Sequence, residues 1–254
     1  MRYKILYDCI THTGRVRSVN QDNFACFGRY MHAGNAGQTF PLQGICHSDD
    51  TPLFGVFDGM GGEQFGEEAS YLAARQGAKL ETGRDCKKAL LRLCRDANLE
   101  ICDFAETNHI NSMGTTAAML VFQGRHAHIC NIGDSKVFRL RDGILEQLSK
   151  DHLCIAAYGM KPALSQSLGI PPEKMRLDPF YRREDCQDGD LYLICSDGLT
   201  DMLTHEEIQA VLASASGSSA IVRLLEMALA NGGKDNTTII LCKVEKERSG
   251  LFRN

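Results

Sequence analysis

Two short, strongly apolar runs end in the same dipeptide, and they restrict the fold more than any other feature of this sequence. Leu53-Phe54-Gly55-Val56-Phe57 leads into Asp58-Gly59, and Leu191-Tyr192-Leu193-Ile194-Cys195 leads through Ser196 into Asp197-Gly198. Runs this short and this uniformly apolar, bounded by turn formers, predict strands covered on both faces, each delivering a carboxylate to its mouth. Asp-Gly alone signals a turn, because glycine accepts positive φ and Asp bonds its own backbone. Asp142-Gly143, between two alternating runs, and Asp188-Gly189 read as turns of that ordinary kind.

Around these two runs the pattern predicts further strands over 3–11, 23–27, 115–122, 126–131, 136–140, 144–148 and 237–244. Apolar residues recur at helical spacing over 64–82, 85–109, 205–213 and 219–231, with Gly83 breaking the first pair. The stretches 28–51 and 214–219 read as polar loops. Many antiparallel strands with two separate helix pairs predict an α+β fold, sheet packed on sheet with helices outside. At 254 residues the chain is long enough for one sizeable core, and one domain is expected rather than two.

Several function classes fall away. The net charge is −4 and no block of like charge occurs, so a nucleic-acid footprint is not expected. Lys87-Lys88, Arg182-Arg183 and the helical Arg75, Arg92 and Arg95 read as solvated surface. The first residues, Met-Arg-Tyr-Lys-Ile-Leu-Tyr-Asp-Cys, have no apolar core of a secretory signal, and no run approaches the ~18 apolar residues of a membrane span. The eleven cysteines are odd in number and include no CxxC pair, which points to packed free thiols in a reduced, cytoplasmic chain. Cys86, Cys94 and Cys102 share one face of the second helix. Cys195 lacks the Cys-x5-Arg loop that a cysteine nucleophile would need to cradle phosphate. His126-x-His128 has no third ligand in pattern and reads as a pair of exposed strand histidines.

The chemistry concentrates in acidic residues at strand boundaries: Asp58, Asp197, Asp235 in Gly-Lys-Asp-Asn, Asp22 in Asn-Gln-Asp-Asn, and Asp134 in Gly-Asp-Ser. Carboxylates gathered at one end of a sheet repel one another and lose hydration, which costs stability unless cations neutralise them. All-oxygen donors suit Mg²⁺ or Mn²⁺, and two such ions ~4 Å apart could activate a water and hold a phosphoryl group for in-line attack. Spacing alone leaves open whether some of these aspartates are only caps.

Seven motifs occur in order: Gly14-Arg15-Val16-Arg17-Ser18-Val19-Asn20-Gln21-Asp22, Val56-Phe57-Asp58-Gly59-Met60-Gly61-Gly62, Gly114-Thr115-Thr116-Ala117, Asn131-Ile132-Gly133-Asp134-Ser135-Lys136, Asp151-His152, Ser196-Asp197-Gly198-Leu199-Thr200-Asp201 and Asp235-Asn236. Together they resemble the metal-dependent protein phosphatase family, protein phosphatase 2C, in its compact bacterial form, over residues 3 to 244. The resemblance implies a four-layer αββα sandwich of two mainly antiparallel sheets flanked by helix pairs. It implies one phosphatase domain over 1–246, with a C-terminal tail at 247–254. It also implies hydrolysis of phosphoserine and phosphothreonine by a water that bridges two divalent cations, Mn²⁺ or Mg²⁺.

The implied roles follow position by position. Asp58 bridges the two ions, the Gly59 carbonyl binds one, and Asp197 and Asp235 complete the other. Asp22 acts nearby through a water, Arg17 clamps the substrate phosphate, and Asp134 with Asp201 holds a third, weaker ion. The implied partner is a phosphorylated protein, the target of a cognate Ser/Thr kinase, acted on by a monomer.

Three departures from the family pattern stand out. Gln21 replaces a Glu, so a water-mediated contact to a metal becomes neutral. Met60 replaces a His proposed as general acid, and a thioether donates no proton. The flap of a few dozen residues after Asp151-His152 is cut short around 153–178, leaving only 153–162 before Ala163-Leu164-Ser165-Gln166-Ser167-Leu168-Gly169. His152 itself reads as holding a loop, and Asn131 and Ser135 as supporting the turn at Asp134. Two alternatives stand beside a protein phosphatase: a non-catalytic phosphoprotein-binding or sensor relative, and a hydrolase of small phosphate esters.

Overall fold

Alternation and burial sort the strands into two sheets in the structure, a computed structural model that describes residues 2–60, 65–155 and 162–247. The first sheet contains β1 (Tyr3–His12), β3 (Leu42–His47), β8 (Lys136–Arg141), β9 (Ile144–Gln147), β11 (Leu191–Cys195) and β12 (Thr237–Lys246), in the order β3-β1-β12-β11-β8-β9. The second runs β10-β7-β6-β4-β2, from β10 (Phe180–Asp185), β7 (His126–Ile132), β6 (Ala117–Gln123), β4 (Leu53–Met60) and β2 (Asp22–Cys26), with β5 (Gly114–Thr115) against the end of β4. The pairings within both sheets are antiparallel.

Three apolar layers hold these elements together. Between the sheets, Ile5, Phe54, Leu120, Phe122, Tyr192 and Ile240 are buried in one cluster. Outside the second sheet, α1 (Gly66–Ala78) and α2 (Cys86–Thr107) bury Leu72, Leu90, Leu93 and Ile101 against Phe57, Met119 and Ile132. Outside the first, the short α3 (Asp197–Thr200), α4 (His205–Ser214) and α5 (Ser218–Ala230) bury Leu199, Ile208, Val211 and Leu224 against Leu193 and Ile239. The order helix, sheet, sheet, helix is the αββα arrangement expected from the sequence. It also explains the uniformly apolar β4 and β11, each of which has one face on a helix layer and one on the opposing sheet.

Local signals set the helix ends. Asp85 accepts the Lys88 N–H to cap α2, and Thr204 with Glu207 forms a reciprocal capping box on α4. Asp142 (φ 51°) and Gly143 (φ 79°) both take left-handed backbone between β8 and β9, as a two-residue hairpin turn requires.

The sequence pattern does not reveal two strands. β3 lies inside the stretch expected to be a polar loop, because as an edge strand it has only one partner, β1. β10, Phe-Tyr-Arg-Arg-Glu-Asp, is too charged to read as a strand; it pairs along β7 in register, with Arg183 opposite His128 and Asp185 opposite His126. The histidines expected to be exposed therefore are not. His128 is buried with Nδ1 2.7 Å from the Tyr181 hydroxyl, and His126 is part-buried with Nδ1 2.7 Å from Asp185. Arg182, expected in solvent, bridges Glu184 and Glu146 beside Arg139. Arg75 likewise pairs with Glu100 of α2 and lies 5.4 Å over the Tyr71 ring.

The cysteines are free thiols, nearly all buried; Cys94 and Cys130 approach to 3.9 Å between α2 and β7. No described helix is long and apolar enough to cross a membrane.

Candidate active site

Strand register places the first two acidic positions side by side: on β2 and β4, Asp22 stands opposite Asp58. The backbone at Asp58 is gripped by the two threonines after Gly114. Thr116 Oγ1 accepts the Asp58 N–H (3.1 Å), and the Asp58 carbonyl accepts both the Thr116 N–H and the Thr115 hydroxyl (2.9 Å each). Ser135, beside Asp134, lies 2.7 Å from Thr116 Oγ1 and is fully buried. The Gly-Thr-Thr motif is thus a backbone clamp for the carboxylate that β4 presents.

Glycine is required next to it. A Cβ on Gly59 would stand 2.1 Å from the Gly66 carbonyl and 2.5 Å from that of Gln21. The Gly59 N–H donates to Gln21 O at 3.1 Å, so three segments meet here with no room for a side chain.

Asp197 begins α3, directly after the apolar run of β11. Asp235 sits in the turn before β12, where its Oδ1 accepts the Asn236 N–H (2.9 Å) and its Oδ2 accepts Arg17 (2.7 Å). The loop bearing Arg17 is fixed to that turn, because the Arg15 N–H donates to Gly233 O (2.7 Å) and Gly14 (φ 84°) lies against the Asp235 carbonyl. Asn236 ties the same pieces together. Its Oδ1 accepts Gln21 N (2.8 Å), and its Nδ2 donates to the carbonyls of Thr13 (2.8 Å) and Val19 (3.0 Å).

These elements enclose a cavity of about 330 Å³, lined among others by Arg17, Asp58, Gly59, Asp134, Asp197 and Asp235. Gln21, Met60 and Thr116 share its wall, and Pro162 and Leu164 close it from the segment after the shortened loop. That segment hangs on the Asp-His motif: the Ser165 N–H donates to His152 O (2.9 Å), while His152 Nδ1 accepts the Gly133 N–H (3.1 Å). His152 therefore holds a loop, and burial lowers its pKa. Asn131 does similar work through Lys150, accepting its N–H (3.1 Å) and donating to its carbonyl (2.7 Å). Gly61, Gly62 and the loop positions 156–161 lie outside the described residues.

Two of the predicted residues are not in the cavity wall. Asp201 is exposed at the end of α3, where its N–H donates to the Asp197 carbonyl (2.7 Å). Asp22 is 1% exposed and lies behind the wall. Its Oδ2 accepts hydroxyls from Ser196 and Thr238 (2.7 Å each), while Oδ1 is buried with no hydrogen-bond partner. The sequence pattern assigns no role to Ser196 or Thr238; a hydroxyl adjoining Asp197 and another just inside β12 are the available signal. Gln21, expected to be a neutral stand-in for Glu, turns its amide N–H₂ to Glu67 at 3.2 Å in the first turn of α1.

Electrostatics mark the site as incomplete by itself. Burial pushes the Asp58 carboxyl well above its ordinary range, and the charges of Asp22, Asp197, Asp134 and Asp235 push it further. Asp22 is raised to about 7, chiefly by burial, against the lowering effect of its two hydroxyl donors.

Among the described residues, no three His, Cys, Asp or Glu side chains close into a ready-made metal cluster. The residues nonetheless fit hard divalent cations, which take one or two carboxylates and complete their shell with water. The donors are all oxygen, Asp22 Oδ1 is a buried acceptor without a donor, and Gly59, which carries no side chain, lines the cavity beside Asp58.

Residues 41–230 match the family model described as protein phosphatase 2C. The chain belongs to that family. Among its protein phosphatase 2C relatives, the serine/threonine phosphatase stp of Listeria monocytogenes is 28% identical over 94% of this chain and 96% of its own length. The serine/threonine protein phosphatase PstP of Mycobacterium tuberculosis is 32% identical over 76% of this chain, a region that makes up 40% of that longer protein. The crystal structure of M. tuberculosis PstP/Ppp superposes with a TM-score of 0.78 at 28% identity, covering 95% of this chain and all of that one. The catalytic domain of PstP in complex with two manganese ions gives 0.76 at 28% identity, over 96% of this chain and all of that one.

Proposed function

We propose that this chain is a phosphoserine/phosphothreonine protein phosphatase that hydrolyses the phosphomonoester with a water activated between two divalent cations, Mn²⁺ or Mg²⁺. The observation that carries this reading is one cavity in which four aspartates from different elements face one arginine. Such cations, when bound, supply Lewis acidity, lower the pKa of water and offset the charge of the transferring phosphoryl group. Asp58 and the Gly59 carbonyl would hold one ion, Asp58 reaching also to the second, which Asp197 and Asp235 would complete. A third, weaker ion would fall to Asp134 with Asp201.

The remaining steps belong to the protein's own side chains. Arg17 leaves Asp235 to lay its planar fork on two phosphate oxygens, orienting the ester and stabilising the charge that develops on it. Being half exposed, Arg17 moves at little packing cost. Asp22 works one layer back: with Oδ2 pinned by Ser196 and Thr238, Oδ1 would accept a hydrogen bond from a water in the site and orient it. Met60 donates no proton to the departing serine or threonine, so protonation there comes from solvent in the cavity.

This reading takes residues 1–246 as one phosphatase domain with a short tail, acting in the cytoplasm as a monomer on proteins phosphorylated by a cognate Ser/Thr kinase. The test is phosphate release from a phosphothreonine peptide in Mn²⁺, in chelator, and by Asp197→Asn. We expect turnover that needs the ion and falls by about 10³-fold or more in the variant, as when charge stabilisation is removed from a transition state. Metal-loaded, folded protein that releases no phosphate from peptides would sink the assignment.

A further inference from the structure

A second cavity, of about 650 Å³, opens between α2 and the segment 172–181. It has twice the volume of the aspartate-lined cavity and shares no lining residue with it. Its size is that of a small-molecule site, and its walls have the mixture such sites use, apolar surface with a few placed polar groups. Leu91 and Leu99 from α2 face Met175, Leu177 and Tyr181.

The walls are fixed before any ligand arrives. The Tyr181 hydroxyl is 2.7 Å from the buried His128, which sets the ring, and Lys87 Nζ lies 5.2 Å over its face. Asn98, 1% exposed, locks the start of the opposing segment: its Oδ1 accepts Gly169 N (2.8 Å) and Ile170 N (3.1 Å), and its Nδ2 donates to Ile170 O (3.0 Å). The polar groups are mostly of one sign. Lys87, Arg95 and Arg176 stand at the cavity against a single carboxylate, Asp178. Arg95 is engaged by Asp96, whereas Lys87 and Arg176 form no ion pair among the described residues.

We propose that this cavity binds a small amphipathic anion, an apolar body ending in a carboxylate or phosphate-type head. The body lies along Leu91, Leu99 and Tyr181, and the head meets Lys87 and Arg176. Unpaired cations beside desolvated apolar surface favour that ligand over a neutral or cationic one of equal size.

Occupancy has a route to the active site through hydrogen bonds. Asn98 lines the cavity and holds Gly169 and Ile170. The adjacent Leu168 exchanges two backbone bonds with Thr115 (2.9 and 3.1 Å), whose hydroxyl grips the Asp58 carbonyl. A ligand seated against Asn98 is therefore joined by a continuous chain of hydrogen bonds to the clamp at Asp58. This second part rests on the phosphatase reading, while the binding itself does not.

Calorimetry of the full chain in chelator, with decanoate as probe, tests the site. Saturable one-to-one binding is expected, weakened at least tenfold in Lys87→Ala/Arg176→Ala, and decyltrimethylammonium should not bind. Decylphosphonate, titrated in the same way, shows whether the head is read as carboxylate or as phosphonate. Absence of saturable binding to either anion, equal binding by the double variant, or equal binding of the cation would each overturn the proposal. In a peptide phosphatase assay, saturating decanoate should change the rate at least twofold in the parent chain and not in the double variant. An unchanged rate with binding intact overturns the coupling. A chain with no phosphatase activity that still binds decanoate overturns only the activity assignment.

Discussion

The two cavities are built with opposite charge and opposite degrees of internal satisfaction. In the first, carboxylates are brought together on rigid strand ends and turns, and burial raises the pKa of Asp58 and Asp22 because their ionised forms repel and lack solvent. The fold overrides that repulsion through hydrogen bonds that act on backbone: Thr115 and Thr116 on Asp58, Asn236 on Gln21 and Val19. In the second, the side chains facing the cavity are mostly apolar, the buried Asn98 is fully engaged with the facing segment, and cations stand in solvent at the edge. One site is destabilised until something neutralises it; the other is stable as it stands. Strain at a functional site is tolerated where the surrounding strands over-determine the backbone, and here β2, β4, β11 and β12 do so.

The sharpest way to separate the two sites is at their arginines. Arg17→Ala should lower kcat/KM on a phosphopeptide by about 10²-fold, with Arg17→Lys recovering only part, because a point charge replaces a planar fork. Arg176→Ala should leave that constant within about twofold in the absence of any anion. Equal losses at both positions would erase the distinction between the cavities.

A smaller effect probes the link between them. Asn98→Ala leaves two backbone N–H groups and a carbonyl at 169–170 without their partner. Denaturant unfolding should show a loss of about 2–3 kcal/mol, the cost of stranding such groups. Unchanged stability would mean that the segment is held by Leu168 and Thr115 alone.

A further contrast is in pH dependence, where the two sides of the second sheet should behave oppositely in chelated protein. Asp22 keeps its proton in the fold up to about 7, against 3.8 for an ordinary carboxyl, so folding takes up a proton between those values. That contribution to stability is full below about 3.8, declines as pH rises, and is gone above about 7. Burial lowers His128 from 6.5 to about 4, so the unfolded ring takes a proton that the folded ring refuses, and stability falls as pH drops from 6.5 towards 4. Thermal unfolding against pH, with Asp22→Asn and His128→Gln, should flatten one limb each. A variant that flattens the other limb would reverse the assignment.

Much of this architecture can be read from the chain. The apolar runs of β4 and β11 appear as buried strands because both faces meet hydrophobic layers, and the periodicity of α1 and α2 shows because each helix has one wet side. β10 is illegible for the converse reason: its Arg182 and Glu184 are matched to Arg139 and Glu146 across space, information that no local window contains. The same limit applies to the site. Asp58 and Asp197 announce themselves by ending apolar runs, yet the hydroxyls of Ser196 and Thr238 that pin Asp22 lie 174 and 216 residues away from it. The large cavity against α2 has no sequence signature at all, since its two walls are ordinary amphipathic surface until β10 brings Tyr181 beside Lys87.

Chain order gives β12 one further consequence. It lies between β1 and β11 in the first sheet, and Thr238 on it meets Thr11 across 227 residues of sequence. During synthesis β1 must wait for almost everything else before its inner neighbour exists, and the turn carrying Asp235 emerges with that neighbour. A nascent chain stopped before residue 237 therefore lacks the strand that closes the sheet, and its acidic cavity cannot yet be assembled.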